Sequence, residues 1–247
     1  MTALMSGRKV RLDSLLVDRG LAPSREKARA LILAGQVLVN GQKSEKAGHT
    51  VAGDCRIEVL ESPRYVSRGG VKLEAALEHF GIDVSGAVCL DVGASTGGFT
   101  DCLLQHGAAR VYAVDVGQGQ LDWNLRNDSR VVVREGVNAR YLTPADFPER
   151  FKLAVCDASF ISATLLVPPI AGLLAEGGAM VILVKPQFEV GRSQVGKGGV
   201  VRDPALHQSA CDRVHTAVEA FGFKAFIIPS PVTGAEGNRE FLLYASR

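Results

Sequence analysis

Five polar residues in the C-terminal part of the sequence flank apolar runs that predict buried strands. Four follow such a run and the fifth precedes the last one: Asp115, Asn138, Asp157, Lys185 and Glu240. In open α/β sheets, ligands bind beyond the carboxyl ends of the strands. One rim of the sheet would therefore gather carboxylates, an amide and an ammonium, groups that can hold a polar ligand and move a proton.

A glycine-rich loop, Asp91-Val-Gly-Ala-Ser-Thr-Gly-Gly-Phe-Thr-Asp101, follows the first of these strands. Gly93 and Gly97 would let the backbone approach a ligand closely. The spacing differs from the dinucleotide pattern G-x-G-x-x-G, because Ser95 stands where its second glycine would be. This difference disfavours NAD.

The residues after the next two strands favour a ligand that contains adenosine. The carboxylate of Asp115 could accept hydrogen bonds from both hydroxyls of a ribose, and Asn138 is placed to contact an adenine. We therefore predict that the glycine-rich loop binds a cofactor that contains adenosine, for which S-adenosylmethionine is our candidate.

Two lysines differ in what their positions indicate. Lys185 ends a buried strand directly before a proline. Burying an unpaired ammonium is costly, so a lysine there is a functional candidate. Lys72 is expected in the first turn of a helix whose apolar stripe includes Leu73 and Leu77, where a cation is mildly unfavourable. Its position alone favours a solvated surface lysine.

Seven strand-like runs alternate with helical intervals through this region. They are 88–92, 111–116, 131–135, 153–157, 179–185, 225–229 and 240–245. Such alternation predicts an α/β fold with a mostly parallel seven-stranded sheet that is covered on both faces, the Rossmann-like arrangement.

The first 60 residues form a basic head. They carry ten Lys/Arg against six Asp/Glu, a net charge of +4, whereas residues 61–247 have a net charge of −2. The pattern predicts helices over 11–19 and 25–34, then strands near 36–41 and 54–60. Arg25, Lys27 and Arg29 lie at the start of the second helix, where they would display cations.

The order of these features resembles the S4 RNA-binding domain. The stretch that carries the resemblance, RLDSLLVDRGLAPSREKARALILAGQVLVNGQ, begins at Arg11 and is followed by the second strand of this small α+β domain. The resemblance implies that Arg11, Arg25, Lys27 and Arg29 contact structured RNA through its phosphates, which positions a substrate without reading its sequence.

The rest of the chain resembles the FtsJ-like ribose 2′-O-methyltransferases and, within them, the TlyA family. The motifs are SRGGVKL, DVGASTGGFTD, CDASFIS, LVKPQFEVGR and GNREFLLY. The resemblance implies a catalytic tetrad of Lys72, Asp157, Lys185 and Glu240, and it adds Arg68 to the RNA-binding residues. It also implies 2′-O-methylation of ribosomal RNA at cytidine riboses, with the 30S subunit, the 50S subunit or both as partners.

The cofactor would be S-adenosylmethionine, and its expected contacts come from the loop and the strand ends. They are Asp91, Gly93, Ala94, Ser95, Gly97, Gly98, Phe99, Asp115, Asn138 and Asp157. Lys185 is the candidate that removes or shares the proton of the ribose hydroxyl. Asp157 and Glu240 would orient the two ammonium groups.

The domain boundaries predicted from these patterns are 8–61 for the S4-type domain, 62–70 for a connector and 71–247 for the methyltransferase domain. The five cysteines lack C-x-x-C spacing and the five histidines lack metal-ligand spacing, so no metal site is expected. Cysteines inside apolar runs favour a reducing compartment, the cytoplasm. The oligomeric state stays open.

Three alternatives compete with this interpretation. TlyA-like proteins also carry a hemolysin label, and a membrane-lytic protein would need an apolar segment such as 163–184. That segment contains Pro168, Pro169 and a Glu-Gly-Gly break, which predict a helix followed by a strand instead. An RNA-binding module with a degenerate enzyme body is disfavoured by the intact tetrad, and methylation of a protein or small molecule by the S4-like head.

Overall fold

The computed structural model describes residues 9–60, 63–234 and 236–247. The chain divides into two compact units between Pro63 and Arg64. The ends of the predicted domains at residues 8, 61 and 62 lie outside the described residues. The first helix of the second unit begins at Arg68, inside the stretch that was predicted to be a connector.

The N-terminal unit contains two short helices and two small antiparallel sheets. Its elements are β1 (Lys9–Arg11), α1 (Leu12–Asp18), α2 (Arg25–Leu33), β2 (Val37–Val39), β3 (Gln42–Lys43), β4 (Thr50–Ala52) and β5 (Ile57–Val59). β1 pairs with β4, and β3, β2 and β5 form the second sheet. β1, β3 and β4 were not predicted, because they are short and lie outside the longer strand-like runs that contain β2 and β5.

Local signals set the helix bounds in this unit. The Ser24 hydroxyl accepts a hydrogen bond from the Lys27 N–H and so caps α2. Gly20 and Gly35 follow the two helices with φ angles of +69° and +66°, a conformation that favours glycine. The apolar faces of α1 and α2 meet at Leu16 and Ile32, which are completely buried.

The C-terminal unit is built around one large sheet. Its elements are α3 (Arg68–Phe80), β6 (Val88–Val92), α4 (Gly98–Gln105), β7 (Arg110–Asp115), α5 (Trp123–Arg126), β8 (Val131–Glu135), β9 (Phe151–Cys156), α6 (Val167–Leu173), β10 (Leu174–Val184), α7 (Pro186–Glu189), α8 (Pro204–Glu219), β11 (Lys224–Pro229) and β12 (Phe241–Ser246). The strand order is β11-β12-β10-β9-β6-β7-β8.

The fold class predicted from the sequence is confirmed. β8, β7, β6, β9 and β10 pair in parallel, and β12 pairs antiparallel with both β10 and β11. Successive residues of β9 enter different cores, with Leu153 in one and Ala154 in the other. The sheet therefore has an apolar core on each face, which is why its strands are nearly continuous apolar runs.

The apolar segment 163–184 folds as a short helix and a long strand. α6 ends at Leu173 and β10 begins at Leu174, with a register shift against β9 between Leu174 and Ala179. In the described part of the chain, no helix is both long and apolar enough to cross a membrane. The five cysteines are buried and free, as expected for small core residues.

Candidate active site

The rim formed by the strand ends collects the residues that the sequence singled out. Asp115 is the last residue of β7, Asp157 follows β9, and Lys185 follows β10. Glu240 directly precedes β12. Because β12 runs antiparallel to β10, its first residue lies at the same edge as the last residue of β10.

Two ion pairs stand at this rim, one buried at both ends and one with a partly exposed carboxylate. The Nζ of Lys72 lies 2.5 Å from Oε2 of Glu240, and the Nζ of Lys185 lies 2.6 Å from Oδ1 of Asp157. The two lysines are each 8% exposed and Glu240 is 5% exposed. Each ammonium thus has a carboxylate that offsets part of its desolvation. The position of Lys72 in the sequence favoured a solvated side chain. This prediction is wrong, because Glu240, directly before β12, lies in contact with Lys72 and both are buried.

The start of α3 explains how Lys72 reaches the rim. Ser67 caps the helix by accepting a hydrogen bond from the Gly69 N–H, and Lys72 lies in the second turn rather than the first. A Cβ at Gly70 would overlap the Tyr65 ring, and a Cβ at Gly98 would overlap the Ser67 hydroxyl. The glycines therefore let the start of α3 pack closely against the start of α4.

The rim surrounds one continuous cleft with three parts. A wide part of about 690 Å³ is lined by the tetrad and Arg68, and a second part of about 540 Å³ is lined by Asp115 and Asn138. A narrow part of about 150 Å³ is lined by Gly93, Ala94, Gly98, Phe99 and Lys185. The parts share three lining residues: Ser95, Asp157 and Ser159.

The second part of the cleft fits a nucleoside. The carboxylate of Asp115 accepts hydrogen bonds from the N–H groups of Ser95 at 2.8 Å and Gly117 at 2.7 Å. These bonds fix its orientation and leave acceptor capacity, since an ionised carboxylate has about four acceptor sites. Apolar side chains form the walls: Val92, Val114, Val116, Val137, Ile161 and Leu166. An adenosine needs this combination of a polar end and an apolar slot.

Two of the predicted cofactor contacts, Asp91 and Gly97, are not among the residues that line the cleft. Asp91 is completely buried, accepts a hydrogen bond from the Thr100 hydroxyl at 2.7 Å, and has a pKa raised to about 7 by burial. Gly97 has a φ of +95°, and its α-carbon faces Leu121 and Leu125. Both residues support the glycine-rich loop from its buried side.

The structure adds residues that spacing did not single out. Ser159 accepts a hydrogen bond from the Lys185 Nζ at 2.7 Å. Phe160 lines both wide parts of the cleft, is 91% exposed, and has a φ of +65°, which is strained for this residue type. Both residues lie in the motif CDASFIS, but no periodicity distinguishes an exposed phenylalanine from a buried one.

Replacing Asp115 tests the nucleoside part of the cleft. Asp115→Asn is expected to lower the affinity for S-adenosylmethionine by about tenfold, since it removes the charge from a hydrogen bond to a hydroxyl. Isothermal titration calorimetry measures the effect, with Asp122→Asn as a matched control because Asp122 caps α5 outside the lining. Equal affinities for the two variants would place the nucleoside elsewhere.

Comparison with family models gives two matches. The FtsJ-like methyltransferase model matches residues 65–247, and the S4 domain model matches residues 10–55.

Three individual proteins are similar over nearly the whole chain. The 16S/23S rRNA (cytidine-2′-O)-methyltransferase TlyA of Mycobacterium tuberculosis is 48% identical, over 96% of this chain and 90% of that protein. Hemolysin A of Brachyspira hyodysenteriae is 45% identical, over 95% of this chain and 99% of that protein. A solved Streptococcus thermophilus structure titled as a hemolysin is 43% identical with a TM-score of 0.74, covering 99% of this chain and 90% of that one.

Proposed function

The chain belongs to the FtsJ-like methyltransferase family and, within it, to the TlyA group, and from this premise we propose that it methylates the 2′-hydroxyl of a cytidine ribose in ribosomal RNA. S-adenosylmethionine is the proposed methyl donor. The observation that carries the proposal is the pair of lysine–carboxylate contacts on the wall of the widest part of the cleft.

The chemistry of a ribose hydroxyl explains why such a site needs lysines. A hydroxyl is a poor nucleophile at neutral pH, so the protein must orient it and remove or share its proton. S-adenosylmethionine, when bound, supplies a methyl group on a sulfonium, which needs no further activation. We propose that Lys185, as a neutral amine that has first released its own proton to solvent, accepts the proton of the ribose hydroxyl, because it lines both the narrow and the widest part of the cleft.

The neighbours of Lys185 would hold its amine in one place. Asp157 lies 2.6 Å from the Nζ, and the Ser159 hydroxyl accepts from it at 2.7 Å. Lys72 and Glu240 form the second pair on the wall of the widest part. We propose that Lys72 keeps a positive charge near the reacting oxygen and that Glu240 balances this charge in the absence of substrate.

The exposed ring of Phe160 supports a nucleotide as the acceptor. Its face is available at the junction of the two wide parts, and it lies 5.4 Å from the ring of Phe188 between centroids. A nucleotide extruded from its stack needs an aromatic or apolar surface for its base. We propose that the target base stacks on Phe160.

The N-terminal unit would bind the RNA, and its predicted contact residues fall into two groups. Arg11 and Arg25 both pair with Asp13, at 2.8 Å and 3.3 Å, and the carboxylate of Asp13 is completely buried. The hydrogen bond from Arg11 holds the pKa of Asp13 well below its usual value. Arg11 and Arg25 therefore stabilise the fold, since they neutralise a buried charge, in addition to any contact with RNA.

Lys27 and Arg29 form the other group and give the cleaner test. Neither side chain has an ion pair or hydrogen bond within 9–60 or the rest of the described chain. Lys27→Gln with Arg29→Gln is expected to weaken RNA binding, and the slope of log affinity against log salt should flatten by one to two units, roughly 0.7–0.9 per phosphate contact. Filter binding between low and high salt measures it; an unchanged slope would contradict the S4-type role.

The decisive experiment is methyl transfer from labelled S-adenosylmethionine to isolated 30S subunits, isolated 50S subunits and naked ribosomal RNA. We expect the label in RNA. One phosphodiester bond of that RNA should resist alkaline cleavage, because a 2′-O-methyl group blocks the attack of the 2′-oxygen on the neighbouring phosphate. Mapping that bond identifies the nucleotide and the subunit. Label in protein, or leakage of liposomes without any methyl transfer, would contradict the proposal.

A further inference from the structure

The segment from Gly191 to Arg202, which we call the basic strap, has a charge unlike the rest of its unit. It contains Arg192, Lys197 and Arg202 and no acidic residue, although residues 61–247 together carry a net charge of −2. Among the residues that the structure describes, none of these three side chains has an ion pair or a hydrogen bond. Three cations without partners on one short segment leave a positive field that a ligand could neutralise.

The basic strap lies at the mouth of the widest part of the cleft. Val195 and Gly199 line that part together with Lys72 and Lys185. Two left-handed glycines, Gly198 and Gly199, turn the chain there. The cations of the basic strap are therefore carried by backbone that borders the reacting groups.

Asn238 attaches the basic strap to the active site. Its side chain is 2% exposed, its amide nitrogen donates to the Gly199 carbonyl at 2.9 Å, and its oxygen accepts from the Val201 N–H at 2.9 Å. Asn238 stands two residues before Glu240 in the segment that enters β12. One short segment therefore holds both the carboxylate that pairs with Lys72 and the hydrogen bonds that fix the basic strap.

Two more cations lie on segments that line the same mouth. Arg68 lines the widest part, and Arg239 lies between Asn238 and Glu240 and is exposed. Glu236 is the exposed acidic residue of this lining. The methyl donor carries its own positive charge at sulfur, so an excess of cations at the mouth does not serve the donor. It suits an acceptor that brings several negative charges.

We propose that the basic strap binds the phosphates of the nucleotides next to the target ribose, with Asn238 as the positioning residue that holds the strap at the cleft. This inference rests on the proposed function and adds a second RNA contact surface, on the methyltransferase unit itself. Phosphate contacts there fix the register of the strand. These contacts add affinity for the strand that carries the target ribose.

The test removes the three charges and follows RNA binding and turnover separately. The variant Arg192→Gln/Lys197→Gln/Arg202→Gln is expected to raise KM for RNA about tenfold at low salt and to flatten the salt slope of RNA affinity by about two units, as for three contacts to single-stranded phosphates. Its affinity for S-adenosylmethionine should stay unchanged. The kcat should stay within about twofold of the wild type, since the lost contacts stabilise the bound RNA equally in the ground state and the transition state.

A matched variant controls for total charge. Arg150→Gln/Lys152→Gln/Lys224→Gln removes three positive charges at the opposite end of the strands, where β9 and β11 begin. This control variant should behave as the wild type. Arg192→Lys/Arg202→Lys keeps the charges and should keep the salt slope. If the wild type methylates RNA but the strap variant matches the control, the inference is overturned and the proposed function stands. If the wild type methylates no RNA, the proposed function itself fails.

Discussion

A Lys185→Ala protein is expected to lose methyl transfer by about 10²–10⁴-fold, the usual contribution of a general base, while it binds S-adenosylmethionine with little change. The amine lies at the junction of the narrow and widest parts of the cleft, whereas the nucleoside part is lined without it. Removing the amine leaves the Asp115 carboxylate and its two backbone hydrogen bonds in place.

Single-turnover transfer of labelled methyl groups and calorimetric titration of the cofactor measure the two effects. Lys152→Ala is the matched control, an exposed lysine near the start of β9. Lys185→Arg keeps a cation that cannot lose its proton, so this variant should also be inactive. An active Lys185→Arg protein would show that a fixed charge suffices, and loss of cofactor binding in Lys185→Ala would make the residue structural.

A Glu240→Gln protein is expected to lose both stability and activity, because the ammonium of Lys72 would remain buried without its carboxylate. Lys72 is 8% exposed and Glu240 is 5% exposed. Breaking a buried pair by removing one partner lowers the free energy of unfolding by about 3–5 kcal/mol. The amide keeps the shape of the side chain, so packing alone does not account for the change.

The double variant Lys72→Met/Glu240→Gln separates the two effects. Without the buried unpaired charge, the free energy of unfolding should recover most of the loss seen in Glu240→Gln, since burying a neutral amide costs less than burying an unpaired ammonium. Methyl transfer should stay low, because the proposed charge near the reacting oxygen is gone. Urea unfolding of the wild type, Lys72→Met, Glu240→Gln and the double variant gives the coupling. A Glu240→Gln protein as stable as the wild type would mean that Lys72 is solvated without its partner.

Much of the fold followed from local pattern in the sequence. The seven apolar runs and the intervals between them predicted the large sheet. A parallel strand that is covered on both faces consists of consecutive apolar residues, so it is visible in the sequence. The glycine-rich loop after β6 and the polar residue at each strand end then predicted the rim. Very short strands, such as β1 and β3, left no pattern of this kind.

The partners of the four charged residues were decided by tertiary structure. Lys72 and Glu240 are 168 residues apart in the chain, and only the antiparallel insertion of β12 beside β10 brings them together. The same packing turned Asp91 and Gly97 away from the cleft and attached the basic strap to Asn238. Residue types and spacing predicted that Asp115, Asp157 and Lys185 reach the rim, whereas the spacing around Lys72 did not. Which ammonium meets which carboxylate, and which cations stay unpaired, depended on packing between segments distant in the chain, and that packing sets burial and charge balance.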